Sequence, residues 1–261
     1  MFVHPNFDPV ALQLGPLAVH WYGLMYLLGF WGGWWLLVQR GRSTHMPMGE
    51  NAVSDLVFYI VMGVILGGRL GYTLFYNFGG FLNDPLSLLR IWEGGMSFHG
   101  GLLGVIAAYF LFAWHKKLNV FYIADFAAPA IPLGLFTGRI GNFINGELWG
   151  APTDLPWGMV FANAGPLPRH PSMLYEAGLE GLALLVILWW FSSKPRPRMA
   201  VAGLFLVLYG VFRTTVEFVR LPDAHIGYLF NSGWITMGMM LSLPVFAGGA
   251  LMLVLAYGRK P

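Results

Sequence analysis

Six of the fifteen basic residues stand within or beside strongly apolar stretches, and all six are arginines: Arg69, Arg90, Arg139, Arg169, Arg213 and Arg220. The others, including every lysine, fall in short polar segments. A charge in hydrocarbon costs a few kcal/mol or more, so such residues are kept for a purpose. Arginine carries a planar fork of N–H donors that never deprotonates, and the fork grips a phosphate at two points. The set suits a phosphate group held at membrane depth.

One histidine stands out beside the arginines. His99 lies between Phe98 and the Gly100–Gly101 pair, where the backbone leaves room for a substrate, and it is a general-base candidate. Plain structural explanations stand next to these readings. Arg69, Arg90 and Arg220 can snorkel to an interface. Glu176, Glu180, Glu217 and Asp125 suit partners that offset buried arginines, and His20, beside Trp21 and Tyr22, suits an aromatic belt. Cysteine is absent, which removes disulfides, thiolate metal sites and a cysteine nucleophile. No GxxxxGK, HExxH or GxSxG pattern occurs, so neither a cofactor nor a metal is expected.

Composition says what must position these residues. The chain is 57% hydrophobic and 10% charged, which predicts an all-α polytopic membrane protein. Seven segments reach the roughly 17–25 residues a span needs: Trp21–Val38, Leu56–Tyr76, Gly94–Trp114, Val120–Phe143, Met173–Phe191, Ala200–Val219 and Ile235–Tyr257. Arg40 and Arg42, Lys116 and Lys117, then Lys194, Arg196 and Arg198 follow spans one, three and five, and Arg259 and Lys260 follow span seven. By the positive-inside rule these face the cytoplasm, with the N-terminus outside and the C-terminus inside. Topology thus accounts for the basic residues, and no nucleic-acid partner is expected. The first apolar run has no basic residues before it, which argues against a cleavable signal peptide. Residues 1–261 are read as a single transmembrane domain, with 1–19 as an arm and 145–171 as a small cap, both on the outer side.

That orientation gathers the polar residues into one layer. Arg69 falls in the outer half of span two, and His99 about five residues below the start of span three, roughly 7–8 Å deep. Arg139, Asn142 and Asn145 end span four. Glu176 and Glu180 open span five, and Tyr209, Arg213 and Glu217 share a face of span six at one turn each. Gly29/Gly33, Gly67/Gly71, Gly100/Gly104 and Gly134/Gly138 mark close helix packing. Breaks are expected at Pro129, Pro132 and Pro244.

Over Gly138-Arg139-Ile140-Gly141-Asn142-Phe143-Ile144-Asn145-Gly146-Glu147-Leu148-Trp149-Gly150 the chain resembles the signature of bacterial prolipoprotein diacylglyceryl transferases. Flanking matches run in order along nearly the whole chain: Phe7-Asp8-Pro9, His20-Trp21-Tyr22-Gly23, Gly67-Gly68-Arg69-Leu70-Gly71-Tyr72, Gly94 to Gly101, Arg169-His170-Pro171-Ser172, Tyr175-Glu176, and Tyr209 to Arg213. The resemblance implies seven spans with the N-terminus outside. It also implies transfer of the sn-1,2-diacylglyceryl group of phosphatidylglycerol to a lipobox cysteine in a prolipoprotein signal peptide, the first step of lipoprotein maturation, at the periplasmic side of the inner membrane. The family's essential residues match Arg139 and Arg213, and its important ones match His99, Tyr22, Asn142, Glu147 and Gly150.

The chemistry agrees with the residues. Attack by sulfur on the glyceryl carbon expels a phosphate monoester, and two arginines would stabilise the charge growing on it. His99 accepts the thiol proton, or the arginines lower the thiol's pKa unaided; the residues leave both open. The catalytic set is therefore expected to be His99, Arg139 and Arg213. Substrate binding is expected from those two arginines with Tyr22, His20, Asn142, Asn145, Glu147, Gly150, Tyr209, Arg69, Glu176 and His170. The alternative is a transporter or flippase for an anionic phospholipid or phosphate ester, since intramembrane arginines suit that too. The one-sided polar layer and the lack of paired interrupted helices argue against it.

Overall fold

The computed structural model describes residues 2–15, 17–43, 45–90, 94–222 and 226–258. Arg259 and Lys260, which marked a cytoplasmic end, lie outside them. Every long apolar run is helical. The helices are α1 (Trp21–Gly41), α2 (Glu50–Tyr76), a short α3 (Phe78–Asn83), α4 (Phe98–Lys116), α5 (Val120–Ala127), α6 (Ile131–Ile144), α7 (Ser172–Glu176), α8 (Leu184–Phe191), α9 (Ala200–Glu217) and α10 (Met237–Gly258). A 3-10 turn at Ala128–Ala130 joins α5 to α6, and a π-helical turn at Ala177–Ala183 joins α7 to α8. Among the described residues six helical stretches are long and apolar enough to cross a membrane: Glu50–Tyr76, Phe98–Lys116, Val120–Ile144, Ser172–Phe191, Ala200–Glu217 and Met237–Gly258. The chain is a mostly helical, multi-pass membrane protein. The helix α1 has the length but is not among these six.

Three sequence expectations change. The third span starts at Phe98 rather than Gly94, because Gly94 and Gly95 adopt φ of +78° and +77°, which no α-helix accommodates. Ser97 caps the helix instead, its Oγ accepting from the Gly100 N–H at 3.2 Å. His99 therefore sits in the first turn of α4, exposed, rather than five residues deep. Pro129 does interrupt its span, but α10 runs unbroken through Pro244, since a proline deletes one hydrogen bond without ending the helix. Four short strands also join the helices: β1 (Phe2–Val3), β2 (Val10–Leu14), β3 (Leu17–His20) and β4 (Met159–Val160).

The chain divides into two compact units, Leu37–Ala124 and Met1–Leu36 with Asp125–Pro261. In the first, α2 and α4 pack along the small residues Gly67, Gly71, Gly100 and Gly104. A Cβ on Gly67 would run into the Gly100 carbonyl, so only glycine permits this approach. The loop between α2 and α4 in this unit is organised by Arg69, which is buried. Its Nε donates to Leu88 O at 3.1 Å, one terminal nitrogen to Gly94 O and to Gly95 O at 3.1 Å, and the other to Ser87 O and to Arg90 O at 3.0 Å.

In the second unit β2 and β3 form an antiparallel hairpin, with Val10 opposite His20. β1 pairs in parallel with β4, joining the arm to the cap. His4 is buried there; its Nε2 lies 2.6 Å from the Phe143 carbonyl, and its ring stacks on Phe161. Two buried acceptors secure the start of α9: the Asp125 carboxylate receives the N–H groups of Met199 at 2.6 Å and Ala202 at 2.8 Å. The α9–α10 pair closes tightly at Gly203 and Gly249.

Candidate active site

The polar layer of the second unit condenses around one carboxylate. Glu176, on α7, is completely buried. It receives Arg139 Nε from α6 at 2.9 Å, Arg213 from α9, and Arg220, just beyond α9, at 2.8 Å. Three guanidinium groups would repel one another in a dry setting; a shared carboxylate holds them together. Glu217 completes the arrangement. It pairs with Arg213 one helical turn earlier, lies 3.7 Å from Arg220 Nε, and accepts a hydrogen bond from the Thr236 hydroxyl. Glu180, in the π-helical turn, stands farther off, 3.9 Å from Arg139. Three arginines thus face three acidic residues. The Arg139, Arg213 and Arg220 side chains keep 19%, 14% and 13% of their surface open, while the acids keep almost none. The cluster therefore buries its acids and leaves the arginine side chains partly open.

Arg139 also leads toward the cap. One of its terminal nitrogens donates to Asn142 Oδ1 at 3.4 Å, and Asn142 Nδ2 donates to Glu147 at 2.8 Å. The amide orientation follows from chemistry, since guanidinium only donates and carboxylate only accepts. Asn145 donates to the same Glu147 oxygen at 3.2 Å. Gly146 and Leu148, with φ of +64° and +60°, turn the chain so that Glu147 folds back. Gly150 is pinched: its N–H donates to His170 O at 2.8 Å, and a Cβ there would strike Val219 O and the His170 side chain. Its role is close backbone approach. His170 is half-buried, its Nδ1 3.2 Å from the Tyr175 hydroxyl, which accepts from Trp157 Nε1 at 2.8 Å. Burial pulls the imidazole below its ordinary pKa.

Tyr22 packs in the first turn of α1 against Gly141 of α6, and Tyr209 lies one turn before Arg213, stacked on Phe205. His20 ends β3 and is exposed. Of the expected binding set, Arg139, Arg213, Glu176, Asn142, Asn145 and Glu147 form one connected network. In the other unit, Arg69 has all five of its donors on backbone carbonyls, which makes it a brace for its own loop. His99 packs its ring edge against Phe98. Arg220, which by sequence suits an interface role as well as a functional one, joins the cluster, and its i, i+3 spacing from Glu217 is the signal for that. Thr236 went unremarked, although a threonine before an apolar run is a cap signal.

A model of the prolipoprotein diacylglyceryl transferase family matches residues 9–255. The chain belongs to this family. It is 58% identical to the phosphatidylglycerol–prolipoprotein diacylglyceryl transferase of Methylococcus capsulatus, covering all of this chain and 99% of that protein. The enzyme of that name from Oleidesulfovibrio alaskensis is 61% identical over 97% of this chain and 94% of its own length. A third, from Pseudomonas aeruginosa, is 54% identical over 99% and 97%. The whole arginine network lies within the matched residues, and the stretch Gly138–Gly150 supplies Arg139, Asn142, Asn145 and Glu147 to it.

Proposed function

We propose that this chain transfers the sn-1,2-diacylglyceryl group of phosphatidylglycerol to the thiol of a lipobox cysteine, just after the apolar region of a prolipoprotein signal peptide. A thioether forms and glycerol phosphate leaves. The observation that carries the reading is the meeting of Arg139, Arg213 and Arg220 at Glu176, which concentrates three partly open guanidinium side chains at one point. Arg139 and Arg213 hold the phosphodiester. Sulfur attacks the glyceryl carbon, the C–O bond breaks, and both electrons leave on the phosphate oxygen, where guanidinium donors stabilise them. The thiol proton passes to His99, or leaves unaided because the arginines favour thiolate. Substituting His99→Gln removes the acid limb of the pH–rate profile in the first case and leaves it in place in the second. Asn142, Asn145 and Glu147 fix Arg139, and Tyr22, His20, Tyr209 and His170 border the headgroup and lipobox. Glu176 and Arg69 act as braces rather than ligands.

The same reading has seven spans, the N-terminus outside, the C-terminus in the cytoplasm, and the site toward the periplasmic side of the inner membrane. The pairing of β1 with β4 supports α1 as the seventh span. Paired strands share one side of the membrane, so an even number of crossings separates them. Glu50–Tyr76, Phe98–Lys116 and Val120–Ile144 make three, and α1 makes the fourth. Residues 1–261 then act as one catalytic domain. The test is to incubate purified protein with phosphatidylglycerol and a lipobox peptide. Glycerol phosphate release with a diacylglyceryl mass gain on the cysteine is expected; lipid movement with no covalent product would overturn the reading in favour of transport.

A further inference from the structure

Thr236 stands immediately before α10 and is only 2% exposed. Its Oγ1 accepts from the Met239 N–H at 3.2 Å, capping the helix, and its one proton is directed to Glu217 Oε2. The Glu217 carboxylate lies against the first turn of α10. A Cβ added to Gly238 would come within 2.5 Å of its Cδ. A helix start offers unpaired N–H groups and a positive dipole end, both of which favour an anion there. Glu217 is thereby held from α10 on one side and grips Arg213 and Arg220 on the other.

We propose that Thr236 is a positioning residue for diacylglyceryl transfer, acting through Glu217 to fix the orientation of the Arg213 guanidinium. The inference rests on Arg213 holding the phosphate, as set out above. Arg213 is suspended between Glu176 and Glu217, so its guanidinium keeps its direction only while both carboxylates stay in place. Without the threonine proton, Glu217 Oε2 loses its hydroxyl donor and the carboxylate can rotate about its own side chain. A misplaced guanidinium still carries its charge but no longer meets the leaving oxygen, and small displacements of this kind cost on the order of 10²-fold in rate.

A merely structural Thr236 would cap α10 and nothing more. Removing it would then lower the yield of folded protein without changing turnover per folded molecule. The experiment compares Thr236→Val, which keeps the shape and loses the donor, with Thr236→Ser, which keeps the donor. Full-length protein is assayed with phosphatidylglycerol and a lipobox peptide, and rates are normalised to folded enzyme by gel filtration and circular dichroism. Expected are a fall of roughly tenfold or more in kcat/KM for Thr236→Val, mostly in kcat, and recovery in Thr236→Ser. In a Glu217→Gln background Thr236→Val should add little, since residues acting through one another are not additive. If Thr236→Val does not fold, Gly238→Ala, in the same first turn of α10, displaces the same carboxylate and should give the same loss. Wild-type kcat/KM in the folded variants, or losses from Thr236→Val and Glu217→Gln that multiply, would overturn the proposal. An active Arg213→Ala would instead remove the parent reading, whereas an inactive Arg213→Ala beside a normal Thr236→Val removes this inference alone.

Discussion

Arg139 Nε meets Glu176 Oε2 at 2.9 Å, joining α6 to α7 with an ion pair whose acid is fully buried and whose base is one-fifth open. The asymmetry has a physical consequence. The carboxylate is committed to the protein, while the arginine side chain stays partly open. Arg213 and Arg220 repeat the pattern at the same acid, so a single side chain organises the donors of three.

That geometry predicts how the arginines respond to substitution. Arg139→Ala and Arg213→Ala should lower transfer by about 10²–10³-fold or more, with folded protein retained in membranes. Arg139→Lys should also lose most activity, because lysine keeps the charge but cannot bridge Glu176, Asn142 and a phosphate with one planar group. Glycerol phosphate release per folded enzyme is the readout. A Lys variant at wild-type rate would mean that charge alone suffices.

The two glutamates of the Ser172–Phe191 stretch should differ in their effect on stability. Glu176→Gln leaves three arginines without their shared acid, and breaking a buried pair costs about 3–5 kcal/mol. Glu180, whose ion pair is a single contact at 3.9 Å, should matter clearly less when changed to Gln. Thermal unfolding in detergent micelles ranks the two. Equal drops in Tm would contradict the hub assigned to Glu176.

Gly150→Ala should displace the cap from the end of α9. The added methyl meets Val219 O and His170, and the backbone bonds that tie Gly150 to His170 and Ala151 to Val219 must lengthen. Lower protease resistance of residues 150–170 is expected together with reduced transfer. An alanine variant indistinguishable from the parent in both would show that the contact yields easily.

The half-buried His170 gives the cap a pH dependence. Its folded pKa lies below the ordinary 6.5, so the unfolded chain takes up the proton more readily than the folded one. Stability then rises with pH across the interval from the lowered value to 6.5, is complete above it, and is lost as the pH falls. Tm should drop between about pH 7.5 and about pH 5, and His170→Gln should flatten part of that drop. A variant with an unchanged slope would assign the effect elsewhere.

The helices and their order could be read from the chain because apolar runs of span length have few alternatives. The gathering of Arg139, Glu176, Arg213 and Glu217 could be read because helical spacing and alternating direction put them at one depth. Other features could not. Gly94 and Gly95 look like part of an apolar run, and only their left-handed backbone moves the start of α4 to Phe98, with His99 one residue in. Arg69 resembles the other buried arginines, but its acceptors are backbone carbonyls, which no side-chain pattern reveals. The π-helical turn that carries Glu180 has no compositional mark, and α10 holds its form through Pro244 because one absent hydrogen bond is a small local loss.

The partnership of Phe2–Val3 with Met159–Val160 also sets a timetable. The earliest-made strand has nothing to bind until every helix through Ile144 has been synthesised and the ribosome has passed the 160s. During that interval a short extended segment, with His4 and Phe7 unsheltered, waits without its neighbour. Docking of β1 is thus a late event in biogenesis, since it requires β4 to have been made and released from the ribosome.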